Sequence, residues 1–273
     1  MTTIDGNTLE GVSATTLWTL HNRGTEAKRP GGVIHDPLGV KLFDSIDYDY
    51  RKFGRPNQSH ALRALAFDGV AGDFLRKHPK ASVVALAEGL QTSFWRLQAA
   101  GRADQLTWYS VDLPPVMELR ERLLPRDERV VDLAQSALDR SWMDRIDPSH
   151  RVFITAEGLL MYLDPADVRA LIADCAAWFP GGQMIFDSIP HWFSRRTMKG
   201  FKLSDRYVAP PMPFGLTADE GLALAREVPG VSAARDIALP TGRGLFRLMS
   251  WPPLDRIGPL HRMRPSITLL EFG

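Results

Sequence analysis

The sequence predicts an α/β protein built on one doubly wound, mostly parallel sheet. Three observations predict it. Short apolar runs alternate with stretches of helical periodicity, as they do where each strand is covered on both faces. The first run, Val83 to Leu86, stops at Ala87-Glu88-Gly89, and helical sequence follows from Thr92 to Ala100. Strand, tight turn and helix open a nucleotide-binding α/β unit. Polar residues then fall just past the carboxyl ends of successive runs, at Glu88, Gly89, Asp112, Ser136, Glu157, Ser188 and His191. That rim is where open α/β sheets hold ligands.

The chain has 273 residues, enough for one large α/β domain, so residues 1–273 are read as a single domain. A formal net charge of +1 gives no electrostatic case for a nucleic acid or an anionic membrane surface. No run of about 18 uncharged apolar residues is present, so no transmembrane helix is expected. The first residues, MTTIDGNTLEG, lack the basic and apolar regions of a signal peptide. The single cysteine, Cys175, suits a reducing compartment, so a cytoplasmic protein is expected. The histidines are scattered without metal-ligand spacing, and no metal site is expected.

Residues 12–80 form an N-terminal helical part. Helical sequence runs from about 12 to 29 with Leu17 and Leu20 inward, and Pro30-Gly31-Gly32 ends it. His35-Asp36-Pro37 is a turn, and Val40 to Phe43 starts a short helix. A long helix over 59–77 carries an apolar stripe through Leu62, Leu65, Ala66, Val70 and Phe74. Residues 81–189 and 217–250 hold the sheet. After Val83–Leu86, strands are expected at 106–111, 129–132, 151–156 and 183–186, with a short helix at 142–146. Asp164 caps a further helix, Pro165 fills its first position and Asp167 completes a capping box. Cys175 shares the inner face of that helix with Leu171, Ile172 and Phe179, which makes it core rather than nucleophile. Residues 190–216 mix aromatics, prolines and basic residues without periodicity, and read as a lid insertion. A helix at 217–227 follows, then strands at 231–239 and 244–250 as an antiparallel edge pair.

The rim residues leave two readings open. Gly89 lets backbone approach a ligand, yet G-x-G-x-x-G is absent and an ordinary strand–helix turn also explains one glycine. Asp112 stands where such folds hold ribose hydroxyls, and also where a residue would cap the helix starting at Pro114-Pro115. Three carboxylates on the rim, Glu88, Asp112 and Glu157, would repel a polyphosphate. They suit a ligand with hydroxyls and positive charge, so S-adenosylmethionine fits better than a dinucleotide.

The sequence also resembles the leucine carboxyl methyltransferase family, and within it the tetracenomycin-type polyketide O-methyltransferases. The matching stretches are VSATTLWTLHNRGTEA, VVALAEGLQT, SVDLPPVMELRERLLP, SALDRSW and, most specific, AEGLLMYLDPADVRALI. The resemblance implies a Rossmann-like, seven-stranded class I methyltransferase sheet and S-adenosyl-L-methionine as methyl donor. It implies that Arg23 and Arg63 bind the methionine carboxylate, that Gly89 lines the methionyl part and that Glu157 meets the ammonium. Asp112, with Leu113 beside it, would hold the ribose, and Ser136 and Ala137 would edge the adenine. Where the family has Gly-x-Gly-Leu-Asp-Thr-Arg, this chain has Ala87-Glu88-Gly89-Leu90-Gln91-Thr92-Ser93. One glycine, one acid and one arginine are missing, and the extra acid, Glu88, is expected to face the ammonium instead.

These readings predict an O-methyltransferase acting on a carboxylate or hydroxyl of a small, partly apolar, polyketide-like molecule. Trp192, Phe193, Arg195, Arg196 and Tyr207 of the lid are expected to wall the acceptor pocket. His191 is expected near the transferred methyl, positioning the acceptor, or acting as a base if the acceptor is a phenol. The altered first loop motivates an alternative, a weakly active or inactive S-adenosylmethionine-binding protein with an interaction role.

Overall fold

The computed structural model describes residues 4–244, 246–247 and 263–273. Its centre is a seven-stranded sheet. In chain order the strands are β1 Ser82–Leu86, β2 Thr107–Asp112, β3 Val130–Ala134, β4 Val152–Ala156, β5 Gln183–Ser188, β6 Val231–Asp236 and β7 Ser266–Phe272. Their spatial order is β6-β7-β5-β4-β1-β2-β3. β1 pairs in parallel with β2 (Ser82 opposite Thr107) and with β4 (Ser82 opposite Val152). The chain therefore leaves β1 in one direction for β2 and β3, then returns to its other side for β4 and β5. That reversal opens a crevice at the carboxyl ends of β1 and β4.

The strand sequences explain the layering. Val83 and Ala85 join Phe67, Phe74, Phe94 and Trp108 on one face, while Val84 and Leu86 join Trp142, Leu171, Ile172 and Cys175 on the other. Successive strand side chains point to opposite faces, so only a run apolar at every position suits a doubly covered strand. Each buried Val, Leu, Ile or Phe side chain contributes about 1.5–3 kcal/mol. The covering helices are α3 Ser59–Lys77, α4 Ser93–Ala99, α5 Pro114–Leu123, α6 Pro165–Trp178 and α8 Ala218–Glu227. α1 Thr15–Lys28 and α2 Pro37–Ser45 form a further layer. There Leu17, Leu20 and Leu42 pack with Leu90, Val116 and Leu119, bringing this layer over the turn that follows β1.

Most expected elements appear within a residue or two of their sequence bounds, and four details differ. The last strand is β7, Ser266–Phe272, not 244–250. Part of 244–250 lies outside the described residues, and Phe246 and Arg247 are helical. β7 runs antiparallel between β5 and β6, so it must be apolar on both faces, and Ile267, Leu269, Leu270 and Phe272 meet that need. The GLFRLMS run places Arg247 in its middle and does not. Secondly, the Asp164 side chain makes no capping bond, although Pro165 does open α6. Thirdly, 142–146 falls on a 3-10 turn, Arg140–Arg145. Fourthly, 190–216 is not irregular throughout. It holds α7 His191–Thr197 and a short ribbon pairing Lys202–Ser204 with Tyr207–Val208. Cys175 is buried, and burial pushes its thiol up, so it is not a nucleophile in this fold. Among the described residues no helix is long and apolar enough to cross a membrane.

Candidate functional site

The crevice at the carboxyl ends of the strands opens into a cavity of about 580 Å³. The turn after β1 forms its floor. Ala87 has φ +49° and Gly89 φ +60°, both in the left-handed region. A side chain on Gly89 would collide with Thr16, whose hydroxyl accepts the Leu90 N–H at 2.8 Å. Ala87 occupies the place of the missing glycine, so the same backbone turn forms with some strain.

Asp112 ends β2 and lines the cavity. Its two carboxylate oxygens accept the Gly89 and Leu113 N–H groups, each at 2.7 Å. The bond to Gly89 ties the second strand to the first loop, and no amide inside α5 is capped by Asp112. Burial pushes its carboxyl above the ordinary value, against the pull of the two N–H groups.

Glu157, after β4, and Asp187, on β5, share one guanidinium. Arg63 on α3 donates Nε to Glu157 at 3.0 Å and Nη1 to Asp187 at 2.8 Å. Gln91 adds a bond to Glu157 at 2.7 Å, and Asp187 accepts the Gly158 N–H at 2.6 Å. An arginine in the first turns of a helix usually faces solvent, but this one is 15% exposed and lines the cavity. Burial holds the Glu157 carboxyl above its ordinary value, with Asp187 adding to the effect and Arg63 opposing it.

Two expected cofactor residues sit differently. Arg23 is fully buried behind the loop and does not line the cavity. It donates to Asp36 at 3.0 Å and to the Leu90 carbonyl at 2.5 Å. Asp36 also binds Thr92 and Arg96, so its charge draws Arg23 away from the rim. Glu88 lines the cavity, but its carboxylate turns under the loop, where it meets Arg120 at 2.7 Å, the Ser110 hydroxyl and the Trp108 indole N–H. An ammonium would have to displace a buried guanidinium to reach it. Arg120, which the sequence did not single out, also donates to the Gly89 carbonyl at 2.6 Å. Arg96 stands one turn beyond the position of the missing arginine, and reaches Thr92 at 2.6 Å and Ser93 at 2.9 Å. Leu113, Ser136 and Ala137 line the cavity near Asp112.

Of the five lid residues expected to wall the acceptor pocket, only Phe193 lines the cavity, beside Met161, Ile189 and a further lid residue, Met212. His191 opens α7, which carries its ring outward to Glu220 at 2.7 Å, so it lies outside the cavity. Trp192 is exposed and donates to the Met263 carbonyl. Arg196 lies over the Phe201 ring, and Tyr207 packs edge-on to Phe53; neither they nor Arg195 reach the cavity. On α7 helical phase decides this, because a seven-residue helix turns only one side inward, while Tyr207 lies on the ribbon. Sequence reasoning missed Asp187, His60 and Tyr162, which all line the cavity. Asp187 carried a signal as the acid at the end of the fifth strand. His60 and Tyr162 carried none, because helix and loop positions do not by themselves say which face meets the cavity. Among the described residues no group of three or more His, Cys, Asp or Glu is placed to hold a metal.

Comparison with known proteins places this architecture. The leucine carboxyl methyltransferase family profile matches residues 16–176, more than half of the chain. The tetracenomycin polyketide synthesis O-methyltransferase TcmP of Streptomyces glaucescens is 31% identical over 226 residues, 82% of this chain and 81% of that protein. The tRNA wybutosine-synthesizing protein 4 of Rattus norvegicus is 26% identical over 192 residues, 56% of this chain and 27% of that protein. A putative methyltransferase structure from Thermobifida fusca superposes over 96% of this chain and 95% of its own at a TM-score of 0.60 and 16% identity, a likeness of fold. The chain belongs to the leucine carboxyl methyltransferase family, and it is an S-adenosylmethionine-dependent methyltransferase.

Proposed function

We propose that this methyltransferase esterifies a carboxylate on a small, partly apolar molecule of polyketide-like character. The rim residues fit the cofactor. Among the described residues that line the cavity, Glu88 is matched by Arg120 and Arg264 by Asp236, which leaves three carboxylates, Asp112, Glu157 and Asp187, against the Arg63 guanidinium. The surplus negative charge suits an ammonium and a sulfonium and repels a diphosphate. In this reading Arg63 takes the methionine carboxylate, Glu157 the ammonium, Asp112 the ribose hydroxyls, and Leu113, Ser136 and Ala137 the adenine end. Gly89 leaves room for the methionyl part. Arg23 and Glu88 act through the loop rather than by contact.

One observation carries the choice of a carboxylate. Among the described cavity residues, every candidate base is already committed. Glu157 and Asp187 are held by Arg63, and Asp112 by two backbone N–H groups. The lone pair of His60 Nδ1 faces Asn22, and burial pushes the Tyr162 phenol up to about 12. An acceptor that must first lose a proton finds no group among the described cavity residues to take it. A carboxylic acid, with a pKa near 4, arrives ionised. When bound, S-adenosylmethionine supplies a methyl group whose bond to sulfur breaks, leaving the electron pair on sulfur, while the carboxylate oxygen supplies the pair for the new bond. No proton moves. The protein aligns the acceptor and excludes water, effects that together reach about 7–11 kcal/mol in well-oriented systems.

Trp18, Met161, Ile189, Phe193 and Met212 give the acceptor end an apolar wall suited to a flat ring system. TcmP, whose name places it in polyketide synthesis, supports that substrate class. We read residues 190–216 as a lid within a single domain, contributing Phe193 and Met212 to the wall. The loop-anchoring roles of Arg120 and Arg96 speak against the alternative of an inactive binding protein. The test is transfer of a radiolabelled methyl group to matched aromatic carboxylic acids and phenols. Methyl esters are expected. Methylation of phenols alone would overturn the carboxylate reading, and retained S-adenosylhomocysteine binding with no transfer to any acceptor would favour the binding protein.

A further inference from the structure

We infer that His60 is the hydrogen-bond donor that holds the acceptor's carboxylate, through its Nε2–H; the inference rests on the carboxylate reading above. The backbone N–H of Asn57 lies 2.8 Å from Asn22 Oδ1. A backbone amide can only donate, so this contact assigns the oxygen and the nitrogen of the Asn22 amide. Asn22 Nδ2 is therefore a donor, and it lies 2.8 Å from His60 Nδ1. His60 Nδ1 must accept, and a neutral imidazole accepting at Nδ1 carries its proton on Nε2. Among the described residues nothing bonds Nε2, while the ring lines the cavity edge-on to Trp18 at 5.3 Å.

The protonation state follows from the surroundings. Burial, then the charges of Arg63 and Arg23, hold the His60 imidazole well below its ordinary pKa. The ring is a neutral donor at physiological pH. That suits a site beside a sulfonium, because an imidazolium would repel the methyl donor and drain electron density from the attacking carboxylate. A neutral N–H binds one carboxylate oxygen and leaves a lone pair of the other free to attack. It also selects against a protonated amine, which offers only N–H donors, by setting donor against donor.

Two substitutions separate this role from a structural one. His60→Gln keeps an amide N–H close to the Nε2 position but loses the acceptor for Asn22. His60→Asn keeps an acceptor close to the Nδ1 position but loses the donor into the cavity. The probes are 1-naphthoate, 2-naphthoate and anthraquinone-2-carboxylate, with the matching naphthols. For carboxylates that the wild type methylates, His60→Asn should raise KM about tenfold or more, with His60→Gln close to wild type. S-adenosylhomocysteine affinity should be unchanged in both. In the complex with S-adenosylhomocysteine, histidine ¹⁵N spectra should show His60 protonated at Nε2 and bare at Nδ1 across about pH 6 to 8. The Nε2 signal should move when a carboxylate probe is added. Normal kinetics for His60→Asn with impaired His60→Gln would reduce His60 to a partner of Asn22 and overturn the proposal, as would a proton on Nδ1 or an Nε2 signal that no carboxylate moves. Methylation of the naphthols alone would instead remove the carboxylate reading, and this proposal with it.

Discussion

Arg120 and Glu88 meet at 2.7 Å beneath the first loop, with side chains only 1% and 3% exposed. The acid that departs from the family pattern is thus part of the scaffold, and the arginine clamps the loop by its other nitrogen on the Gly89 carbonyl. Removing one partner of such a pair leaves a buried charge uncompensated, at a cost of about 3–5 kcal/mol. Arg120→Met should lose about that much in urea denaturation, and adding Glu88→Gln should recover a large part of it. Additive losses in the double variant would show that the two groups do not act as a pair.

Ala87 sits at φ +49°, where glycine is at ease and a Cβ is crowded. Ala87→Gly should relieve about 1–2 kcal/mol of strain, less the greater freedom glycine has in the unfolded chain, for a net gain of roughly 0.5–1 kcal/mol. Thermal unfolding of the ligand-free protein would read it. A drop in stability would mean that the turn is not strained.

Asp112→Ala removes the carboxylate proposed to hold the ribose. Loss of even one charge-assisted bond, about 1.5–3 kcal/mol, should weaken S-adenosylhomocysteine binding roughly ten- to a hundredfold, and loss of both by more. Calorimetry on the folded variant decides this, and an unchanged affinity would leave Asp112 as a tie to Gly89 and nothing more.

Glu157 should make cofactor binding sensitive to acid earlier than an ordinary glutamate would. Its folded pKa is raised above 4.5, so the native protein takes up this proton before the unfolded chain does. This group's contribution to stability therefore rises as pH falls through the folded value, while its charge opposite the ammonium is lost. S-adenosylhomocysteine affinity measured by calorimetry should begin to fall above pH 4.5. Glu157→Gln should bind weakly and without that dependence. The same acid sensitivity in the variant would assign it to another group.

His191→Ala should leave turnover within about twofold of wild type, as expected of an exposed residue away from the cavity. The pH profile should show no ionisation that the substitution removes. A hundredfold loss in kcat would return His191 to the reaction.

The sequence alone determined the sheet, its central strands and the rim. Val83 to Leu86 is apolar at every position, and such a run has few stable uses other than a doubly covered strand. The acids following those strands were visible for the same local reason, since strand ends give their positions directly. Family likeness added the cofactor, because AEGLLMYLDPADVRALI carries more information than any spacing rule.

Only the tertiary structure decided what each polar side chain faces. Glu88 and Asp112 look alike in sequence and both line the cavity, yet Arg120 on α5 draws the carboxylate of one under the loop while backbone N–H groups hold that of the other. Arg23 and Arg63 look alike as helix arginines, and Asp36 separates them. The place of β7 depended on which late segment could be buried on both faces between two partners. The His60 tautomer depended on an amide oriented by a backbone N–H on another segment. In each case the deciding partner is distant in sequence, and buried charges and hydrogen-bonding groups choose partners by proximity after folding rather than by local pattern.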